Sequence, residues 1–267
     1  VYPASPFGTL SHLGPMTRSV ADGALMLTVM AEPDPRDAFS LPYDARDYFS
    51  VLEGGIAGLC VAFSPDLGYA EVDPEVAKLV AAAAKSFAAL GAQVEQVDPG
   101  FDNPQAIFRS HWYAGAAHIL RAMTPEQREL VDPGLRIVAE KGQALSMDAY
   151  MKGAMARSQL VVTMRRFHQK YDLLLTPTMP TPAFSLGPDS PIGQNGEVWD
   201  DWSPFTYPFN LTGQPAATLP CGFTSGGLPV GLQIVGRNYD EVNVLRAAHA
   251  FETAHPEHRK TPSLAAS

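Results

Sequence analysis

Between residues 58 and 98 the apolar positions change period twice. Gly58-Leu59-Cys60-Val61-Ala62-Phe63 is a short, almost unbroken apolar run, the pattern of a strand buried on both faces. Asp73-Pro74-Glu75 then joins an N-cap residue, a proline at the first helical position and an acid in the first turn. Val76, Leu79, Val80, Ala83, Phe87 and Leu90 follow at helical spacing, and Gly91 supplies the stop. Residues 93–97 alternate and predict a second strand. The whole stretch reads as a βαβ unit over about residues 58–98, with parallel strands and a right-handed crossover.

The same reading extends to the rest of the chain. Ser19 and Asp22 form an S-x-x-D start signal for a helix running to about Met30, with Leu25, Met26 and Val29 as its apolar face. Residues 32–50 are rich in proline and aspartate and predict a loop. Residues 104–170 predict helices near 105–122, 124–141 and 147–170, broken by Thr124-Pro125 and by Gly142. Residues 172–176 form another buried strand, which runs into Pro177, Pro180 and Pro182, where a regular helix or central strand is not expected. A polar loop over 185–202 carries Trp199 and Trp202. A short helix over 206–212 precedes strands over 216–223 and 229–235, joined by the hairpin signal Ser225-Gly226-Gly227. A last helix spans about 240–254 with Val244, Leu245, Ala248 and Phe251 facing inward, and the polar tail from His255 is expected to fray.

Composition narrows the class. The formal net charge is -9 and lysine and arginine do not cluster, so binding to nucleic acid or to an anionic membrane is disfavoured. No stretch approaches the ~18 apolar residues of a membrane-spanning helix, and no secretory leader is visible. Cys60 and Cys221 both sit in apolar strand contexts and read as buried thiols in a reducing cytoplasm, not as a disulfide framework. The chain opens with Val1-Tyr2-Pro3 inside a turn-rich stretch. That opening reads as the middle of a loop, and hence as a piece, a processed chain or a proteolytic product.

The standard reactive constellations do not emerge from the residues. Gly54-Gly55-Ile56-Ala57-Gly58 precedes a strand instead of following one, the wrong order for a dinucleotide fingerprint. No G-x-S-x-G elbow, H-E-x-x-H or zinc-spaced cysteine pair occurs. Ser225 lies at a hairpin tip, where neither a base nor an oxyanion hole is at hand, and reads as a turn residue. His255 and His258 are the one close histidine pair; their place beyond the last helix predicts an ordinary surface turn. No metal and no cofactor is expected.

Two segments carry a resemblance that composition does not show. One is Gly14-Pro15-Met16-Thr17-Arg18-Ser19-Val20-Ala21-Asp22, preceded by residues 1–6. The other is Phe209-Asn210-Leu211-Thr212-Gly213-Gln214-Pro215-Ala216, continuing through Leu219-Pro220-Cys221-Gly222 to residues 227–236. In order and separation both resemble the amidase signature family, as does Asp172-Leu173-Leu174-Leu175-Thr176-Pro177-Thr178. The resemblance implies an α/β fold with a mixed β-sheet covered by helices on both faces, of which residues 1–267 would be the C-terminal part of a single domain. It also implies hydrolysis of a carboxamide C–N bond by a serine nucleophile, a bridging serine in a cis peptide and a lysine base. In the family those residues precede the Gly-Pro-Met-x-Arg segment. None is carried over to this chain, which alone is expected to be inactive.

What the resemblance assigns here is pocket wall and scaffold. Trp202, Ser203, Thr206 and Tyr207 are the candidate substrate-binding residues, Ser203 and Tyr207 sharing a face if the stretch turns helical; Trp112 is a second, more distant candidate. The competing reading is that these aromatic rings are ordinary core. Arg18 and Asp22 are spaced to pair, Asn210 and Gln233 are expected to satisfy buried backbone groups, and Gly213, Gly222 and Gly231 to serve tight backbone geometry. The family includes the glutaminase subunit of tRNA-dependent amidotransferases, which carries an acid near the position of Ser203 and an Arg-Arg-Ile-Met-Leu-Gly-type segment. Both are missing here, the latter between Gly134 and Tyr150, which favours a stand-alone amidase acting on a neutral or aryl small-molecule amide. A non-catalytic chain that kept the fold is the reading from another class. The expected partners are the N-terminal portion of the same enzyme and, in a homodimer, a second copy.

Overall fold

A computed structural model describes residues 4–187 and 202–258. Trp199 and most of its predicted loop lie outside the described residues, as do Val1-Tyr2-Pro3 and the tail beyond His258.

The βαβ unit forms as its pattern predicts. Strand β1 (Cys60–Phe63), helix α2 (Pro74–Ala89) and strand β2 (Gln93–Gln96) follow helix α1 (Val20–Met30), and β1 and β2 pair in parallel with Val61 opposite Val94. The Asp73 carboxylate accepts from the Glu75 and Val76 backbone N–H groups, at 2.8 and 3.4 Å, ahead of Pro74. Val76, Val80, Ala83 and Phe87 are buried, as the helical spacing requires, and Leu79 and Leu90 pack beside them.

The helical region comprises α3 (Gln105–Ala122), α4 (Pro125–Glu129), α5 (Pro133–Gln143) and α6 (Met147–Lys170). The helix expected over 124–141 is two helices. Asp132-Pro133 restarts the chain as Asp73-Pro74 does, with the Asp132 carboxylate accepting from Leu135 N–H at 3.2 Å. Gly142 is not the expected break. It lies inside α5, where a Cβ would run into the Tyr113 carbonyl and Ala117 of α3, so its missing side chain lets the two helices touch.

Strand β3 (Leu173–Pro177), helix α7 (Tyr207–Thr212), strands β4 (Ala216–Phe223) and β5 (Pro229–Gly236) and helix α8 (Glu241–Ala254) complete the elements. The sheet order is β2-β1-β3-β5-β4, with β3 parallel to β1 and antiparallel to β5, and β4 antiparallel to β5. Pro177 belongs to this central strand, contrary to expectation. It sits one step past the last β1 hydrogen bond, Ser64 N–H to the Leu175 carbonyl, so its missing N–H leaves no gap in the ladder.

Side-chain alternation along the strands makes two cores. Val61, Phe63, Leu173, Leu175, Leu219, Cys221, Leu232 and Ile234 face α2 and α8. Ala62, Leu174 and Val235 face Met164 of α6, Phe205 and Phe209. The mixed sheet therefore carries helices on both faces, as expected. On the second face the cover stops at β5, and Ala216, Thr218 and Pro220 of β4 are exposed. Cys60 and Cys221 are free thiols; burial pushes the Cys221 thiol up to about 12.

Helix α1 departs from its predicted face. Its S-x-x-D start forms, with Asp22 N–H donating to Ser19 Oγ at 3.1 Å. Ser19 Oγ donates in turn to the Asp22 carboxylate at 2.6 Å, and no Arg18–Asp22 ion pair occurs among the described residues. The side turned inward is Val20, Ala21, Ala24 and Leu27, against Tyr48, Leu52, Val242 and Leu245. Leu25, Met26 and Val29 point outward, with Val29 68% exposed. A helix apolar all round expects cover on more than one side, and periodicity alone could not say which side the described residues fill.

His168 is 5% exposed, and its Nδ1 sits 3.0 Å from the Tyr171 carbonyl. Burial pushes its imidazole below the ordinary range. The unfolded chain then binds a proton that the folded chain refuses, so stability falls as the pH drops below about 6.5. His111, lowered by burial in the same way, adds to the slope. Replacing His168 by Asn is expected to flatten the pH dependence of unfolding by urea below about pH 6.5. An unchanged slope would refute the assignment.

Candidate substrate-pocket site

The candidate residues lie on two elements. Trp112 is in the middle of α3; Trp202, Ser203 and Thr206 lie on the turn leading into α7, and Tyr207 opens that helix. A turn forms because the Ser203 carbonyl accepts from Thr206 N–H at 3.2 Å and from its hydroxyl at 3.1 Å. The helix starts only at Tyr207, where Pro208 takes an early position at which a missing N–H costs nothing. Ser203 and Tyr207 therefore do not stand on one continuous helix face, the geometry their spacing had suggested. Gly213, at φ 70°, ends α7 in the left-handed conformation.

Three side chains hold this segment from outside. Tyr69 donates its hydroxyl to the Pro204 carbonyl at 2.9 Å. Gln233, buried on β5, donates from Nε2 to the Phe205 carbonyl at 2.8 Å and to Thr176 Oγ1 at 3.0 Å. Tyr207 donates to Asn103 Oδ1 at 2.8 Å. The expectation that Gln233 satisfies a buried backbone group is met, and the group belongs to the candidate segment itself.

Behind the segment the structure brings Trp112 and Tyr207 into one row of rings. Phe7 stacks on Trp112 at 4.2 Å between centroids, Trp112 on Phe108 at 5.7 Å, and Phe108 on Tyr207 at 5.2 Å. Tyr207 is only 4% exposed and is as much core as wall; Trp112 is half-buried. Trp202 is not in the row. It meets Phe184 edge-on at 5.5 Å. Ser203 and Thr206 are half-buried.

A second set of contacts ties residues 7–12 to the same place. Asn210 Nδ2 donates to the Leu10 carbonyl at 2.9 Å, the scaffold role expected of it. Arg157 of α6 donates from Nε to the Leu211 carbonyl at 2.7 Å and from Nη2 to Thr9 Oγ1 at 2.9 Å. Burial pushes the Arg157 guanidinium down from its ordinary value. Arg157, Asn103, Tyr69 and Phe108 were not singled out by the sequence. Each is a single polar or aromatic residue in a helix or loop, and its partner lies 54 to 148 residues away or on another element; no local pattern marks it.

Gly231 and Gly222 serve close approaches, as expected. A Cβ on Gly231 would come within 2.7 Å of Thr178 Oγ1, and one on Gly222 within 2.7 Å of Leu79. Ser225 lies at the exposed hairpin tip, its N–H donating to Glu75 at 3.0 Å, the structural turn that was expected. Ser110 and His111 touch at 3.1 Å, but both are engaged by the Ile107 carbonyl one helical turn away, which makes them a packing feature of α3. An open concavity of about 590 Å³ lies elsewhere, between Ala4-Ser5-Pro6 and the end of α3, and is not lined by the candidate residues.

Known proteins resemble this chain in sequence and fold. Residues 5–245 match the family model described as Amidase. An acylamidase from Rhodococcus erythropolis is 36% identical over 97% of this chain and 56% of its own length. A glutamyl-tRNA(Gln) amidotransferase polypeptide from Myxococcus xanthus (strain DK1622) is 34% identical over 96% of this chain and 57% of its own length. Among solved structures, a bacterial aryl acylamidase of the amidase signature enzymes superposes with a TM-score of 0.81 and 29% identity, over 92% of this chain and 54% of that one. The chain thus spans about half the length of the relatives it matches. With a family match over most of its length and the same mixed sheet, the chain belongs to the amidase family.

Proposed function

We propose that residues 1–267 are the C-terminal part of a single amidase domain, and that the assembled enzyme hydrolyses a carboxamide C–N bond to a carboxylate and ammonia or an amine. The serine nucleophile, bridging serine and lysine base belong, on this reading, to a segment outside these 267 residues. The nucleophilic oxygen adds to the amide carbon while its proton passes through the bridging hydroxyl to a neutral lysine. The tetrahedral oxyanion collapses, the C–N bond breaks, and the leaving nitrogen takes the proton. Water then hydrolyses the acyl-enzyme. This chain's share is positioning: Trp202, Ser203, Thr206 and Tyr207 form the pocket wall, and the ring row from Phe7 through Trp112 and Phe108 to Tyr207 stiffens it.

One observation carries the choice of substrate: the segment 202–207 contains no charged residue, only aromatic rings, hydroxyls and a proline. A pocket of that chemistry suits a neutral or aryl amide. The 34% identity to the amidotransferase polypeptide keeps a glutaminase role as the second reading. It would need a carboxylate for the amino group of glutamine, which Ser203 does not supply. A non-catalytic chain that kept the fold is separated from both by the complete reading frame, which in that case would encode no Ser, Ser and Lys. Free thiols at Cys60 and Cys221 fit a reducing cytoplasm, the compartment we assign.

Three outcomes test these assignments. The assembled enzyme should turn over neutral aryl amides with a higher kcat/KM than glutamine; the reverse order would move the assignment to the glutaminase. The isolated 267-residue chain should hydrolyse no amide and should self-associate or aggregate, because Leu25, Met26 and Val29 of α1 and the second face of β4 are open. A monodisperse, cooperatively unfolding monomer seen by analytical ultracentrifugation would contradict this. In the assembled enzyme Gln233→Leu should cost about 1–3 kcal/mol of stability by stranding the Phe205 carbonyl. It should also raise KM for an aryl amide more than it lowers kcat. Unchanged stability and KM would remove Gln233 as the anchor of the pocket wall.

A further inference from the structure

Beyond α8 the chain makes one 3₁₀ turn, Pro256–His258, closed by His258 N–H to the His255 carbonyl at 3.1 Å. His255 itself donates its N–H to the Phe251 carbonyl and ends the helix. The turn brings three potential ligands to one point. His255 Nδ1 lies 3.0 Å and His258 Nε2 3.7 Å from the same oxygen, Glu257 Oε1. The three ligand atoms all lie within 4.8 Å of one another.

The two imidazoles are not loose surface groups. Their rings stack at 5.0 Å between centroids and 8° between planes, and both lean on Phe251, at 4.7 and 5.9 Å. Phe251 is 1% exposed and packs on Phe87 of the main core. Pro256 fixes the backbone between the ligands. The two rings are therefore placed before anything binds, which lowers the ordering cost of binding.

We propose that His255, Glu257 and His258 form a binding site for a divalent transition-metal cation, with zinc, nickel or cobalt as the chemical class. Two imidazoles and one carboxylate are ligands these ions accept. Around a tetrahedral zinc, ligand atoms stand about 3.4 Å apart, given Zn–N distances near 2.1 Å. The observed 3.0 and 3.7 Å bracket that spacing. The His255 and His258 ligand atoms lie within 4.8 Å of each other, and a turn of the stacked rings brings both lone pairs onto one ion. A fourth position is left for water, the open arrangement that three protein ligands give. The site lies just past the C-terminal end of α8, where the helix dipole favours a cation. It is remote in sequence from the candidate pocket segment, and its role is to clamp the C-terminal turn onto Phe251.

The test needs no catalytic activity. The assembled enzyme, purified and stripped with chelator, is titrated with zinc and with nickel by calorimetry, and cobalt is added as a spectroscopic probe. The expected result is one equivalent bound, a visible cobalt ligand-field band, and a higher thermal midpoint with zinc. His255→Ala/His258→Ala should abolish all three while keeping the metal-free thermal midpoint. Glu257→Gln, a change at an exposed side chain, should weaken binding on the order of tenfold and serves if the double variant does not fold. Affinity should also fall on acidification, because ligation needs deprotonated imidazole. Absent binding at about millimolar zinc, well above the range of structural sites, would overturn the proposal. So would binding that is equal in the parent and Glu257→Gln, or that survives loss of both histidines.

Discussion

Strand β3 is the constraint on which the rest of the described structure depends. All five of its residues are buried, and it is hydrogen-bonded on one side to β1 in parallel and on the other to β5 in antiparallel. It thereby joins two units that are far apart in sequence, the βαβ unit and the β4–β5 hairpin. Its alternate side chains also divide the protein. Leu173 and Leu175 go to the core under α2 and α8, and Leu174 to the core under α6 and Phe205. An apolar strand that is sheathed on both faces and both edges has little freedom to slip, because a shift of one residue would exchange its two faces. Asp172 just before it reinforces this register, its carboxylate accepting from Cys60 N–H at 2.8 Å and pairing with Arg237 at 2.8 Å.

The candidate pocket wall depends on that register. Thr176 of β3 receives Gln233 of β5, and the same Gln233 amide reaches on to the Phe205 carbonyl. A backbone carbonyl in a buried turn needs a partner, and here the sheet supplies it. The segment 202–207 is thus placed by the sheet on one side and by the ring row from Phe7 to Tyr207 on the other. Asn210 and Arg157 then draw Leu10 and Thr9 to the same end of the molecule. Residues about 200 positions apart share one small region, and the hydrogen bonds that bring them there are few and short, some part-buried and one exposed.

Two surfaces stand open among the described residues. Helix α1 is covered on one side only, and the second face of β4 stands bare where the second faces of β1, β3 and β5 are packed. The chain spans about half the length of the relatives it matches. Among the described residues no helix is long and apolar enough to cross a membrane, so membrane-spanning helices do not account for the exposed apolar residues of α1.

Much of the architecture was legible in the chain itself, for a local reason. Asp73-Pro74 and Ser19-x-x-Asp22 act within one turn, the spacing of Val76, Val80, Ala83 and Phe87 encodes one helix face, and Ser225-Gly226-Gly227 encodes a hairpin. The motifs around Gly14 and Asn210 carried the family. At Asp132-Pro133 the same local rule as at Asp73-Pro74 starts a helix where the pattern had suggested continuity. What sequence could not decide were choices made between distant elements. These were which side of α1 is filled, whether Gly142 breaks a helix or admits a neighbour, and whether Pro177 can stand in a central strand. Likewise only the fold could show that Trp112 joins Tyr207 while Trp202 does not, and that ligand atoms of His255, Glu257 and His258 come within 4.8 Å of one another. By itself the sequence determined the elements, because short-range sterics and hydrogen bonding act within a few residues. The tertiary structure alone decided the partners, because a side chain's contact across the fold depends on where every intervening element has packed.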